Sequence, residues 1–521
     1  MYADDFILYC SGSSAVEVCR RIQSGINAAT NWALQHGFKF STLKTKAIRF
    51  CRLTRREEIP TLFLLGQILP YEEQVKYLGM ILDKKLNFNA HVTDLVVNVK
   101  QRLNILKVVS NYNWGADSTT LIRMYTSLCL SKLEYGCQIY GSACKTTLQK
   151  LDVVHNMAIR ICTGAYRTSP IDSLYVDAGI GPLALRREEL GLRYMARILT
   201  SKLNPNYKYV VRPLDKAPNK PRLPRPLEVR LEDGAREVGL FPPVIAEICP
   251  SKFPPWCCPA VNICPIRESK RDSSDMLKSS FLAHASEHSS SVNLYTDGSK
   301  SSDGVGCAVV SESTILKKKL PPVSSSFTAE LFAILSALIF IFNNKSSNNS
   351  YVILTDSMSA LSSLKKTFPS RQLVKEIKDW LVLIHSRKKA RIKFCWVPSH
   401  VGISGNERAD VAAKSATRLA HVTAAKVPHF DFRPRIHDYI MGRWQDHWSG
   451  LQGNFKLRSI HPDVLPWGLP CRLDRRSSVV ITRLRIGHTY LTHRYLMASG
   501  AEAGSYLLYL PNFSYCKTCF I

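Results

Sequence analysis

Residues 292–311 read VNLYTDGSKSSDGVGCAVVS, and this stretch decides how the region around it is built. Val292–Thr296 and Gly304–Ser311 are strand-forming runs separated by a short Gly, Ser and Asp turn. Thr314–Leu320 reads as a third strand, so the three predict an antiparallel meander. Beyond it, Thr328–Phe342 has helical length, with Thr328 as the N-cap candidate. A short buried strand at Tyr351–Thr355 and helices at Met358–Lys366 and Gln372–His385 come next. A strand at Arg391–Val397 and a helix over about Asn406–Arg418 complete the series. The order predicts an α/β fold, a mixed sheet with helices on its faces.

Acids fall at telling places in that order. Asp297 is expected to end the first strand, Glu330 to lie in the first turn of the first helix, Asp356 to end the fourth strand, and Asp410 to lie in the last helix. In an open α/β sheet the strand ends form a crevice, so adjacent strands would bring Asp297 and Asp356 together. Carboxylates packed so closely repel, and protonation or divalent cations relieve them. Hard oxygen ligands favour magnesium or manganese, and two such ions suit the hydrolysis of a phosphodiester. Each acid also has an ordinary explanation: Glu330 beside the helix macrodipole, Asp297 in a turn before Gly298, Asp356 as a cap before Ser357, Asp410 as a solvated helix acid. What those leave unexplained is that all four fall at one edge of one sheet, beside a loop bearing His400.

Four segments, YTDGS at 295–299, TAEL at 328–331, LTDS at 354–357 and SHVGISGNERAD at 399–410, resemble the four motifs of the ribonuclease H family, in family order and spacing. The resemblance implies a type-one ribonuclease H domain over 289–420 that cuts RNA endonucleolytically in RNA–DNA hybrids, leaving 3′-hydroxyl and 5′-phosphate ends. By it, Asp297, Glu330, Asp356 and Asp410 would hold two magnesium or manganese ions, with Asp297 touching both. His400, on a loop made flexible by Gly402 and Gly405, would assist proton transfer or product departure. Gly298, Ser299 and Ser357 would meet the nucleic acid, reading RNA 2′-hydroxyls in the minor groove. The basic stretch Arg387–Lys393 reads equally as a phosphate contact and as a solvated turn. The alternative reading is a catalytically decayed remnant that only binds nucleic acid.

The chain opens on Met1-Tyr2-Ala3-Asp4-Asp5, followed by the apolar run Phe6–Cys10, expected to be a strand. This resembles the polymerase motif of reverse transcriptases, and the segments 37–50 and 75–88 look like the next palm motifs of non-LTR, jockey-like arthropod retrotransposons. Segments 133–140 and 160–170 are similar to the thumb side of the same elements. The resemblance implies a palm remnant over 1–90 and a helical thumb or connection over 91–204, in which Val154, Ala158 and Ile161 should face a core. It makes Asp4 and Asp5 two of the three acids of a polymerase site. The third belongs on an upstream strand, so the chain is expected to be a polyprotein fragment without DNA synthesis.

Composition agrees with such a partner. The 521 residues carry 70 Lys and Arg against 41 Asp and Glu, a net charge of +29, which points to a polyanion such as nucleic acid. Sixteen cysteines lack the dense spacing of a secreted disulfide scaffold. With no signal peptide, an intracellular place in cytoplasm or nucleus is expected. The apolar run Leu331–Phe342 is too short to span a bilayer, so no membrane partner is expected. Residues 205–288 are Pro- and Ser-rich and read as a linker with poor helical prospects, whose Cys257, Cys258 and Cys264 have no role assigned. The C-terminal region 421–521 ends in Cys516 and Cys519, which resemble half of a zinc knuckle; with half the ligands, zinc is not expected.

Overall fold

The computed structural model describes residues 5–51, 58–211, 225–241, 245–264, 273–286, 291–344, 349–423, 426–453, 455–466 and 473–489. Two compact units emerge: Met1–Arg187 with Pro218–Leu227 and Trp444–Ile521, and Glu188–Ala217 with Glu228–Arg443.

The second unit holds the mixed sheet. Its elements are β1 (Val292–Ser301), β2 (Gly304–Val310), β3 (Ile315–Leu320), α1 (Ser326–Asn343), β4 (Ser350–Thr355), α2 (Met358–Lys365), α3 (Gln372–Leu383), β5 (Arg391–Trp396) and α4 (Ser404–Ala416). Five strands lie in the order β3-β2-β1-β4-β5. The meander is antiparallel, while β4 runs parallel to β1 and β5 parallel to β4. Parallel neighbours need crossovers, which α1 and the α2–α3 pair supply.

Two details differ from the sequence reading. β1 does not stop at Asp297: its pairing with β4 ends at Thr296 opposite Thr355, but β2 stays alongside, with Asp297 opposite Ala308. Asp297 therefore sits inside a strand, at the point where one neighbour leaves. Helix α1 begins earlier than Thr328. Ser325 is the N-cap and accepts from the Thr328 N–H at 3.2 Å, which puts Glu330 in the second turn. The cause is distant in sequence: the Asp431 carboxylate accepts from the Ser325 N–H at 3.1 Å and its hydroxyl at 2.9 Å.

One face of the sheet is buried under α1 and α3, with Leu331, Ile334, Leu338, Ile353, Ile377 and Phe394 in a shared core. At about 1.5–3 kcal/mol for each fully buried large apolar side chain, this is the main source of the unit's stability. Among the described residues α1 is the one helix apolar and long enough to cross a membrane, and here it is the core helix. On the other face α4 lays Ala409, Ala412 and Ala413 against Ala308 and Val310. Such small residues allow close approach. At Gly306 a Cβ would lie 2.6 Å from the Ala413 carbonyl oxygen and 2.7 Å from the Thr417 nitrogen.

The stretch read as a linker of poor helicity is more ordered than that. Helices occupy Tyr207–Val211, Leu227–Arg230, Glu232–Glu237 and Ser274–Ser286. They fit because the prolines are clustered, and Pro255 stands at the start of a short 3-10 turn where its missing N–H costs nothing. Residues 249–264 are also tied to the sheet unit: the Cys249 N–H donates to Gln372 at 3.1 Å and the Lys252 N–H to Asp379 at 3.1 Å.

In the first unit, the helix Lys145–Thr163 buries Leu151, Val154, His155, Ala158, Ile159 and Cys162. Cys162, not Ile161, continues the face through Val154 and Ala158. The carbonyls at its end are met by arginines of the helix Arg475–Ile486: Arg475 donates to Ile161 at 2.8 Å and Arg483 to Gly164 at 3.0 Å, as cations favour helix C-termini. Two strands, Gln74–Tyr77 and Met80–Asp83, form a hairpin whose turn residues Leu78 and Gly79 have positive φ. Tyr135 donates to the Leu78 carbonyl at 2.7 Å, joining the 75–88 and 133–140 segments. The run Phe6–Cys10 is not a regular strand, and Phe6, Ile7, Leu8 and Tyr9 are exposed.

Close packing at Gly306 gives a test. Gly306→Ala should lower stability by about 1–3 kcal/mol, since β2 and α4 must part to admit a methyl group. Gly442→Ala, at a helical position where a Cβ meets nothing within 4 Å, should instead gain about 0.5–1 kcal/mol. Urea midpoints of the two variants decide it.

Candidate active site

Thr296 and Thr355 end the paired part of β1 and β4, and the Thr296 hydroxyl donates to the Leu354 carbonyl at 3.0 Å. That bond fixes the strands just before each continues into an aspartate. The Trp396 indole N–H donates to the Asp356 carbonyl at 3.0 Å, and the Val397 N–H to that of Thr355 at 3.0 Å. Ser357 then caps α2, its hydroxyl accepting from the Ala360 N–H at 3.3 Å. Asp356 is thus held at a strand-to-helix corner. Glu330 reaches the same place from α1, which passes close over β1: at Gly298 a Cβ would lie 2.4 Å from the Glu330 nitrogen.

The result is a triad. Asp297, Glu330 and Asp356 each offer a carboxylate oxygen within 4.8 Å of the others, a set able to hold a metal ion. Asp297 and Glu330 are each only 8% exposed. Burial, then Asp356, then Asp410 push the Asp297 carboxyl up to about 6. Burial, then Asp297 and Asp356, push Glu330 up to about 9, against hydrogen bonds from the Gly298 N–H and the Thr355 hydroxyl. One Glu330 oxygen, Oε2, is buried with no hydrogen-bond partner. A buried, unpaired oxygen among crowded acids suits a hard divalent cation.

The remaining site residues lie as follows. Asp410, on α4, stands outside the triad and pairs with Lys414 at 2.7 Å, yet its charge is felt at Asp297. His400 is exposed in the loop between β5 and α4 with φ of 57°. Gly402 in that loop has φ of 78°, whereas Gly405 is no hinge: it lies in α4, where a Cβ would fall 2.2 Å from the Tyr295 ring. The Gly298 N–H is turned to the carboxylates, and Ser299 continues β1 opposite Gly306. In the basic stretch, Lys388 donates to the carbonyls of Ile341 and Asn344 at the end of α1, a structural use.

Thr296, Thr355 and Trp396 were not evident as supports in the sequence. The repeated Thr-Asp pair was the available signal. Asp5 is exposed, and among the described residues the one acidic cluster able to hold a metal is the triad. Asp4, Cys516 and Cys519 lie outside the described residues.

A mixed sheet in this order, with acids gathered where its central strands diverge, defines a ribonuclease H-like fold. Residues 289–418 match the RNase H family model and form an RNase H domain. The chain is also similar to polymerases of mobile elements. It is 24% identical over 197 residues, 38% of this chain and 21% of the relative, to the RNA-directed DNA polymerase from mobile element jockey of Drosophila funebris. It is 30% identical over 166 residues, 31% and 18%, to the probable RNA-directed DNA polymerase from transposon BS of Drosophila melanogaster. It is 23% identical over 190 residues, 35% and 56%, to a retrovirus-related Pol polyprotein from type-1 retrotransposable element R1 of Nasonia vitripennis. The chain spans about a fifth of the length of the jockey polymerases it matches.

The raised carboxyls set a pH dependence. Their folded values exceed the ordinary 3.8 and 4.5, so the native state holds the extra protons. Their contribution is fully present below those ordinary values, and is lost as pH rises through about 6 for Asp297 and about 9 for Glu330. In EDTA the melting temperature of the sheet unit should therefore fall from pH 5 to pH 9. Glu330→Gln should flatten the fall and, at pH 8, melt at least about 2 °C higher, the shift expected of about 1 kcal/mol. Scanning calorimetry across pH checks both.

Proposed function

We propose that the domain hydrolyses the RNA strand of RNA–DNA hybrids with divalent cations, as part of a retrotransposon reverse-transcriptase polyprotein. The observation that carries this reading is the triad itself, with an unpartnered Glu330 oxygen inside it. Asp297, Glu330 and Asp356 would hold the cations, and Asp410 would join them by releasing Lys414. Two magnesium or manganese ions held there would supply an activated water and neutralise charge on the leaving oxygen.

The protein's own groups do the rest. Asp297 lies on a strand paired on both sides up to Thr296, which keeps its carboxylate in place. The Gly298 N–H and Thr355 hydroxyl hold the Glu330 carboxylate, while its Oε2 is buried without a hydrogen-bond partner. As water attacks phosphorus it gives up a proton to solvent and the bond to the 3′-oxygen breaks; a proton relayed through His400 reaches that oxygen, giving a 3′-hydroxyl and a 5′-phosphate. Ser299 and the Ser357 hydroxyl stand near the cluster, where the 2′-hydroxyl distinguishes RNA from DNA.

The test is cleavage of a labelled hybrid by the full chain, with RNA and DNA duplexes as controls. The chain should cut the hybrid's RNA strand in magnesium and not in EDTA. Asp297→Asn and Asp356→Asn should each lower the rate by at least the about 100-fold that outer partners of a metal site can cost, with hybrid binding kept. His400→Ala should lower kcat by about 100-fold. Hybrid binding by the unmodified chain without cleavage would show a binding remnant instead.

A further inference from the structure

The sheet face opposite the α1 core is covered in two parts by different pieces of chain. α4 covers Ala308 and Val310 of β2. Val352 and Leu354 of β4 and Cys395 of β5 are packed instead with Cys264, Phe281 and Ile403, with Val401 and Tyr295 at the margin. Cys264 and Phe281 precede residues 289–418, the part that matches the family model. Val401 and Ile403 belong to the loop that carries His400.

Each upstream piece is anchored. The Cys264 N–H donates to the Phe394 carbonyl at 2.8 Å and the Phe394 N–H to that of Asn262 at 2.9 Å, a parallel bridge along the outer side of β5. The helix Ser274–Ser286 brings Phe281, 6% exposed, into the apolar cluster. It also brings the Lys278 ammonium to 3.1 Å from the place of a Gly402 Cβ. The loop beneath has two residues of positive φ, His400 at 57° and Gly402 at 78°. A non-glycine residue in that region persists only where its surroundings over-determine it.

We propose that Phe281 is a positioning residue: by completing the apolar cluster to which Ile403 belongs and on which Val401 packs, it holds the His400 loop in its working conformation. The catalytic unit then begins upstream of the family-matched stretch, at about Asn262. This rests on the hydrolase reading for the role of His400. Removing the phenyl ring lets the loop leave its left-handed geometry, so the imidazole spends less time at the leaving oxygen, while substrate binding through the sheet edge is unchanged.

In the full chain, Phe281→Ala should lower kcat for hybrid cleavage by about 10- to 100-fold, as misplacement of a catalytic group does, with KM changed by less than about 2-fold. Phe281→Leu, which refills most of the space, should restore most of the rate. In a His400→Ala background, Phe281→Ala should add little further loss, because the two act as one. A merely structural role would instead lower the rate equally in both backgrounds, and that result, or wild-type kcat in Phe281→Ala, would overturn the proposal. Amide hydrogen exchange gives an arm independent of turnover: Phe281→Ala should speed exchange at Glu407, whose N–H donates to the Ile403 carbonyl at 3.0 Å, and leave β2 unchanged. If the unmodified chain does not cleave, the hydrolase reading falls, while unchanged exchange at Glu407 is what removes the packing claim.

Discussion

Three carboxylates share a space too small for three negative charges, and the surrounding architecture exists at the cost of that repulsion. β1 and β4 stay paired to their threonines and then part, so that Asp297 and Asp356 face one another across the opening. α1 closes over Gly298 and adds Glu330. Each contact that makes this corner compact also removes water from the acids, which is why burial is the first cause of both raised carboxyls. A proton held there must leave before a cation can take its place, so cation binding at this corner is linked to proton release. Stability is given up locally and recovered in the apolar core beneath α1.

Much of the sheet was legible because its signals are local. The alternation in Val292–Thr296, the buried run in β2 and the lengths of α1, α3 and α4 depend on periodicity alone. The four acids were legible as residues, in their order along the elements. What local signals could not supply was partnership. The start of α1 depends on Asp431, 106 positions beyond Ser325, and the extension of β1 past Asp297 depends on where β4 leaves. Gly405 read as a hinge because glycine is permissive, yet it is there to admit the Tyr295 ring. Lys388 read as a surface charge, and it caps α1.

Proline content misled in a similar way. It reports where helices cannot continue, not whether the intervening residues pack. After most of the prolines have passed, Cys264 pairs along β5 and Phe281 reaches the loop of His400, so sequence that resembles a spacer becomes part of the sheet unit. The family model's match is bounded at 289–418, and these upstream residues lie outside it.

Burial first, and crowding by its neighbours second, keep a proton on the triad at neutral pH, chiefly at Glu330, and a cation would take its place. Calorimetric titration of the chain with manganese at pH 7, repeated in buffers of different ionisation heat, measures the protons released on binding. Release of about one proton per chain is expected, mostly from Glu330, and its loss in Glu330→Gln. Cation binding with no proton released, or with the same release in Glu330→Gln, would contradict it.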